Sequence, residues 1–174
     1  LDAQGVERLL DAQGCDINET DHRHQSALHV AAGQGSARMV ELLLSHKADV
    51  TLRDVKGSTA LQNAVDARHL EVAQSLVHHG AVVTAESWPA VGETLSLLTT
   101  DGDATSHQLI ELVVTAADST HVLASVDACG RTPLHVGSMV GNVQAVTFLV
   151  GQMAKLVRAV DGINRRDLSG YTAA

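Results

Sequence analysis

Aromatic residues are nearly absent from this sequence of 174 residues, of which they form 2%. Trp88, Phe148 and Tyr171 are the whole set. A core must therefore be built from Leu, Val, Ile and Ala, whose small side chains suit thin layers of closely packed helices better than an aromatic-lined ligand pocket. Only two prolines occur, which argues against a loop-rich all-β fold with many turns.

Cysteine is also scarce. Cys15 and Cys129 form no CxxC pair and no cluster with histidine, so they indicate neither a disulfide framework nor a zinc site. We therefore expect an intracellular protein, in the cytoplasm or the nucleus. No apolar run approaches the roughly 18 residues of a membrane span, and the first residues lack the pattern of a signal peptide, so we expect no membrane contact. Because the sequence begins with Leu1 rather than Met, we expect it to be a fragment.

Basic residues are missing from the middle of the chain. The formal charge is −8 overall, and residues 84–126 hold no Lys or Arg. An acidic protein repels phosphate backbones, so we expect no nucleic-acid binding. The acidic middle either favours encounter with a basic partner or only keeps the protein soluble. Its acidic residues are Glu86, Glu93, Asp101, Asp103, Glu111 and Asp118.

A period of 33 residues is present in the first half of the sequence. Leu28 is followed by Leu61 at this interval, and Ala31 by Ala64. A third copy contains Gly130-Arg-Thr-Pro-Leu-His135. This segment resembles the ankyrin signature G-x-T-P-L-H, and the period is that of the ankyrin repeat. The resemblance implies an all-α solenoid of helix–turn–helix units with short β-hairpin loops.

The resemblance extends over most of the chain and divides it into units. One copy is degenerate: its first helix is expected at 93–102, with Leu95 in the place of Leu28, and its second at 107–116. Extra residues are expected before it, around Trp88-Pro89, and in its middle. The expected ankyrin repeat domain covers 1–174, with a partial repeat at 1–18, repeats at 19–51 and 52–84, the degenerate repeat at 85–125, a repeat with an insertion at 126–165, and the start of another at 166–174.

The letters of the repeat have physical reasons. Thr132 and Pro133 suit the first turn of a helix, because the hydroxyl caps free N–H groups and proline is tolerated there. Gly57 and Gly130 are expected where the hairpin loop needs a positive φ. His24 stands at that place in the first full copy, so its turn geometry is open.

Ten histidines suggest a metal site, but none has a partner at ligand spacing. The resemblance instead implies that His29 and His135 tie adjacent loops by hydrogen bonds, with Gln62 able to do likewise. The acidic residues recur at the same place in each unit, as Asp54 and Asp127 do, which is typical of structure rather than catalysis. We expect no enzyme activity, no cofactor, no metal and no small-molecule substrate.

The resemblance implies that partners are held by the hairpin tips and the exposed face of the inner helices. The predicted function is a scaffold for protein–protein interaction; the alternative is a regulatory or targeting segment of a larger protein whose catalytic or channel domain lies elsewhere. Arg23, Lys56 and Arg131 would form a basic strip that favours an acidic or mixed acidic–apolar peptide. The predicted partner-binding residues are Arg23, Gln25, Gln34, Val55, Lys56, Ser58, Asp66, Arg131, Met139, Val140 and Tyr171.

One modification site is also predicted. The segment from Leu10 to Asn18, which ends in Asp-Ile-Asn, resembles the sites at which asparaginyl hydroxylase modifies ankyrin repeats. Asn18 is therefore a predicted hydroxylation site.

Overall fold

The computed structural model describes residues 16–84, 91–117 and 119–163. Within these ranges the chain is helical, and its only bridges between extended residues are two isolated ones. The all-α prediction is confirmed, and the hairpin loops are tight turns rather than paired strands. The helices are α1 Ala27–Gly33, α2 Ala37–Ser45, α3 Ala60–Asp66, α4 Leu70–His78, α5 Val91–Asp101, α6 Ala104–Ala116, α7 Ser119–Ala124, α8 Pro133–Val140 and α9 Val143–Ile163.

The helices are arranged in two layers. Helices α1, α3, α5 and α8 form an inner layer, and α2, α4, α6 and α9 form an outer layer, in which each helix contacts the outer helix of the next pair. Within the inner layer, α1 packs on α3 and α5 on α8, whereas α3 and α5 stand further apart. Each pair covers the apolar face of its neighbour, as a solenoid requires.

The inner helices share one register. In each, a leucine lies seven residues before a residue with positive φ that ends the helix, and in the first three pairs this leucine is fully buried. Leu95 thus has the predicted place of Leu28 and Leu61. The pairs are Leu28 with Gly35, Leu61 with Arg68, Leu95 with Gly102, and the half-buried Leu134 with Gly141.

The core is aliphatic in the described ranges, as the composition predicts. Its largest fully buried side chains are leucines and Ile110, together with one histidine, His29. Phe148 is half-buried at its margin. The core is continuous from the first described helix pair to the last, so the degenerate repeat is part of the same hydrophobic layer.

The extra residues are not where the sequence predicted them. The interval from the left-handed turn to the next loop aspartate runs from Gly35 to Asp54 in the first unit and from Gly102 to Asp127 in the third, six residues more. The extra length equals the six residues of α7, which follows α6. The middle of the degenerate repeat, between α5 and α6, is an ordinary short turn. The last unit is long because α9 has 21 residues whereas α2 has 9.

The loop aspartates shape the hairpin turns. One carboxylate oxygen of Asp21 accepts the N–H groups of Arg23 and Gln25, and Asp54 and Asp127 repeat this pattern two and four residues onward. The hydrogen bond from Gln25 holds the pKa of Asp21 below its usual range. A carboxylate with a lowered pKa contributes stability above the ordinary pKa and loses it as the pH falls through the folded value. The recurrence of these aspartates therefore has a structural cause.

The left-handed position of the loop is kept even without glycine. Gly57 and Gly130 have φ of 80° and 73°, and His24 takes φ of 55° at the same place. Adjacent loops are joined where Val55 N–H donates to the carbonyl of Arg23 at 2.9 Å. The turn at His24 therefore matches the others.

The junction between α3 and α5 leads to a prediction about local stability. Because α3 and α5 stand apart, helices α5 to α7 depend more on the outer layer than α1 to α4 do. We expect faster amide hydrogen exchange in α5 to α7 than in α1 to α4, as measured by mass spectrometry under native conditions. Uniform protection along the chain would contradict this expectation.

Candidate partner-binding groove

A groove runs between inner helices α5 and α8 beneath the loop 127–131. Its volume is about 380 Å³. The exposed apolar residues Leu97, Met139 and Val140 line it, with 64%, 69% and 48% of their surface accessible. Side chains of this kind are expensive to leave in water unless another surface covers them.

Close helix packing positions this groove. A Cβ atom at Gly137 would lie 3.1 Å from Thr99 Cγ2 and 3.0 Å from Val146 Cγ2. The missing side chain thus lets α8 approach α5 and α9 closely. Asn142 fixes the turn that follows α8, since its Nδ2 donates to the carbonyl of Thr99 at 3.0 Å. The two walls of the groove are therefore held by buried contacts behind them.

The cation at the groove rim is already paired. Arg131 donates from Nε to Asp127 Oδ2 at 2.9 Å, and its Nη2 lies 2.8 Å from the same oxygen. The hydrogen bond and charge of Asp127 raise the pKa of Arg131, and hydrogen bonds from Arg131 lower the pKa of Asp127. Arg131 is thus part of its own loop, and its charge is balanced locally.

A second cleft of about 270 Å³ lies between α3 and α5. Asp66 stands on one wall and accepts a hydrogen bond from Thr94 Oγ1 at 2.9 Å across the gap. Crowding by protein atoms raises the pKa of the Asp66 carboxyl, although the bond from Thr94 acts in the opposite direction. Glu93 and Leu97 line both this cleft and the groove, so the two form one surface.

Arg68 is the cation of this cleft, and it is paired as well. Its guanidinium contacts Asp101, lies 3.8 Å from Asp103, and donates to Ser106 Oγ at 2.8 Å. Arg68 has φ of 63°, at the place where the other inner helices have glycine. The acidic residues of 84–126 are thus partly balanced from the preceding repeat, which sequence order did not reveal.

The predicted structural residues have two outcomes. His29 Nε2 donates to the carbonyl of Ser58 at 3.0 Å, while its Nδ1 accepts from Ser26 N–H at 3.2 Å. Gln62 does not repeat this role, because its Oε1 is buried without a hydrogen-bond partner. Thr132 Oγ1 caps α8 and lies 2.7 Å from Nδ1 of His135, whose side chain is exposed.

The predicted contact residues occupy different environments. Arg23, Lys56 and Val55 are exposed at the tips of the first two loops, Gln34 is exposed after α1, and Gln25 is half-buried. Ser58 requires a correction: it is 9% exposed, and its N–H donates to Asp54, so it offers little contact surface. Tyr171 and Cys15 lie outside the described residues.

Two further predicted features are described. Asn18 is half-buried, and its Oδ1 accepts the N–H of Asp49 at 2.8 Å. Its hydroxylation stays a prediction. Cys129 is a free, exposed thiol at the rim of the groove.

Glu93 and Leu97 were missed by the sequence analysis. A signal for Leu97 was present, since it belongs to the run Leu95-Ser-Leu-Leu98. A helix that buries Leu95 and Leu98 on one face must turn the leucine between them outward. Glu93 has no such signal, because any exposed glutamate looks alike in sequence.

The described ranges hold no group of three His, Cys, Asp or Glu side chains that could bind a metal ion. Among the helices described, none has the length and apolar character to cross a membrane.

Family comparisons match two parts of the chain. A model of three ankyrin repeat copies matches residues 2–87, and a single ankyrin repeat model matches 129–162. The fold is similar to that of an ankyrin repeat domain from Acinetobacter baumannii, with a TM-score of 0.70 and 25% identity, over 87% of this chain and 76% of that one.

Similar curated proteins are much longer than this chain. Serine/threonine-protein kinase 12 of Arabidopsis thaliana is 42% identical over 46% of this chain, which spans 17% of that protein. Human Rabankyrin-5 is 31% identical over 72% of this chain, which spans 11% of it. The potassium channel AKT2/3 of Arabidopsis thaliana is 38% identical over 36% of this chain, which spans 8% of it.

Proposed function

The chain belongs to the ankyrin repeat family, whose repeats are protein–protein interaction modules, and we propose that it holds another protein or peptide in the groove between α5 and α8. The observation that carries this proposal is the apolar lining of that groove. Leu97, Met139 and Val140 stay exposed on the inner layer of a protein that otherwise buries its large aliphatic side chains well. A partner that covers them removes apolar surface from water.

The proposal excludes other kinds of ligand for this surface. The ankyrin fold is generally non-catalytic, and the groove brings together no nucleophile with a base. Its paired cations leave no free positive charge for a phosphate backbone. We therefore propose a protein partner, with no small-molecule substrate, nucleic acid or membrane, and an intracellular location in the cytoplasm or nucleus.

A second candidate role concerns the protein as a whole. The similar curated proteins include a kinase and a potassium channel, of which the matching part is a small fraction. This chain can accordingly be a regulatory or targeting segment of a larger protein, in which the groove holds a partner or another part of the same polypeptide. Sequencing the full-length transcript tests this role directly, by showing whether a catalytic or channel domain is joined to the repeats.

The groove is tested by comparative affinity purification from native cells. The baits are the unchanged chain, the double variant Leu97→Ala/Met139→Ala, and the control Val150→Ala, which removes an exposed valine from outer helix α9. We expect a bound protein that the double variant loses, by about tenfold or more, and that the control retains. Thermal melts should be nearly unchanged, because exposed substitutions usually alter stability by about 0.5 kcal/mol or less. Equal retention by all three baits would show that partners bind elsewhere.

A further inference from the structure

The two clefts beside α5 share a surface whose charge is not balanced. Both cations that line them are paired, Arg131 with Asp127 and Arg68 with Asp101. Glu93 is exposed between the clefts, and no cation of the described ranges pairs with it. The charge left for a ligand to meet is therefore negative.

Asp66 adds to this charge from the opposite wall. The one hydrogen bond to its carboxylate from a described residue comes from the neutral hydroxyl of Thr94. The raised pKa of Asp66 agrees with a carboxylate that protein atoms crowd and no cation supports. A positive group placed between Asp66 and Glu93 would favour the ionised form of both.

The apolar part of the surface lies directly beside these carboxylates. Glu93 and Leu97 are four residues apart on α5, so their side chains are neighbours on one face, about 5–6 Å apart at Cβ. Met139 and Val140 face Leu97 across the groove. A ligand that covers Leu97 and Met139 therefore passes within reach of Glu93.

The surrounding sequence has the same sign. Residues 84–126 contain no Lys or Arg, so the field around α5 steers positive groups toward the clefts. The exposed cations Arg23 and Lys56 lie on the two preceding loops. The strip of three free cations predicted from the sequence is thus interrupted at Arg131, and an acidic peptide suits only the first two loops.

We infer that the surface formed by Asp66, Glu93, Leu97, Met139 and Val140 binds a peptide segment that presents a lysine or arginine next to an aliphatic side chain. This inference rests on the proposed function and gives the chemistry of the partner. The aliphatic side chain lies in the groove between α5 and α8. The basic side chain reaches the cleft between α3 and α5, where the carboxylates accept its N–H groups. In an extended segment, residues two apart point to the same side about 6.6–7 Å apart, which matches this separation.

The test uses random 12-residue peptides displayed on phage and selected on the unchanged chain. Selected peptides are then synthesised with a fluorescent label and measured by anisotropy. We expect enrichment of Lys or Arg one to three residues from Leu, Ile, Val or Met, and weaker binding as the ionic strength rises. The variant Glu93→Lys should weaken binding by about tenfold or more.

The matched control is Glu71→Lys. Glu71 is exposed in the first turn of outer helix α4, as Glu93 is in the first turn of α5. Both changes reverse one charge and lose the same favourable interaction with a helix N-terminus, but only Glu93 lines the clefts. Unchanged affinity in Glu71→Lys together with the loss in Glu93→Lys supports the inference.

The contrary outcomes separate the two proposals. Selected peptides that are acidic, or that bind Glu93→Lys as well as the unchanged chain, overturn the inference. If such peptides still lose affinity with Leu97→Ala/Met139→Ala, the groove function stands with a different partner chemistry. If they are indifferent to that double variant, both proposals fail. A selection with no enrichment over the starting library also counts against the inference.

Discussion

Replacing Gly92 with alanine should destabilise the protein by about 2–3 kcal/mol, as expected when a side chain is forced into a filled space. A Cβ atom at this position would lie 2.4 Å from the carbonyl oxygen of Val126 and 2.8 Å from its nitrogen. Both are backbone atoms, so no side-chain rotation can relieve the contact. Helix α5 or the segment before the loop 127–131 must move, and the groove between them should deform. Urea denaturation followed by circular dichroism measures the change.

The control for this prediction is Gly151→Ala. Gly151 lies in α9, with open space around the site of its missing Cβ atom. Alanine there should stabilise the protein by about 0.5–1 kcal/mol, because glycine within a helix is entropically costly. Opposite signs for the two variants are the expected result. If Gly92→Ala also stabilised the protein, α5 would not pack against Val126 as described.

Replacing His29 with alanine should cost about 3 kcal/mol, of which part is the lost side-chain volume and part the unpaired carbonyl of Ser58. His29 is 1% exposed, so water cannot take the place of its Nε2 donor. The loop of the second unit would lose its tie to α1, and both units should unfold at a lower urea concentration. His29→Gln should recover little of this stability, since Gln62 at the equivalent place pairs with no loop.

His135→Ala serves as the comparison. His135 has the same place in the last unit, but its side chain is exposed. Only its contact with Thr132 is lost, so the expected cost is below about 1 kcal/mol. Equal losses at His29 and His135 would mean that capping of the inner helix, rather than the tie between loops, is the common cause.

Much of the fold could be predicted because one local pattern recurs. A buried leucine followed seven residues later by a left-handed turn identifies each of the first three inner helices, and this made the position of Leu95 predictable in a copy that otherwise matches poorly. The place of the six extra residues was not predictable. A count of residues between two recognised landmarks gives the length of an insertion, but not which connection contains it, and α7 is too short to show a helical period.

The site was predicted less well than the fold, for reasons of side-chain geometry. The period identifies loop positions such as Lys56, but not whether a cation there is free. Arg131 pairs with an aspartate four residues earlier, and Arg68 with one 33 residues later. Ser58 is at a loop tip by sequence, yet it is buried because its carbonyl is the acceptor for His29. Such outcomes depend on rotamers and on contacts between repeats, which no single repeat contains.

The wide spacing between α3 and α5 has a mechanical consequence. A stack of helix pairs bends most easily where one layer has the fewest contacts, and here only the outer helices α4 and α6 pack firmly. They therefore act as the pivot, while the ion pair of Arg68 with Asp101 limits the opening on the other side. Curvature of the whole array is then concentrated at one joint. A ligand that fills this joint would stiffen the stack as a whole, although it contacts only two of the helix pairs.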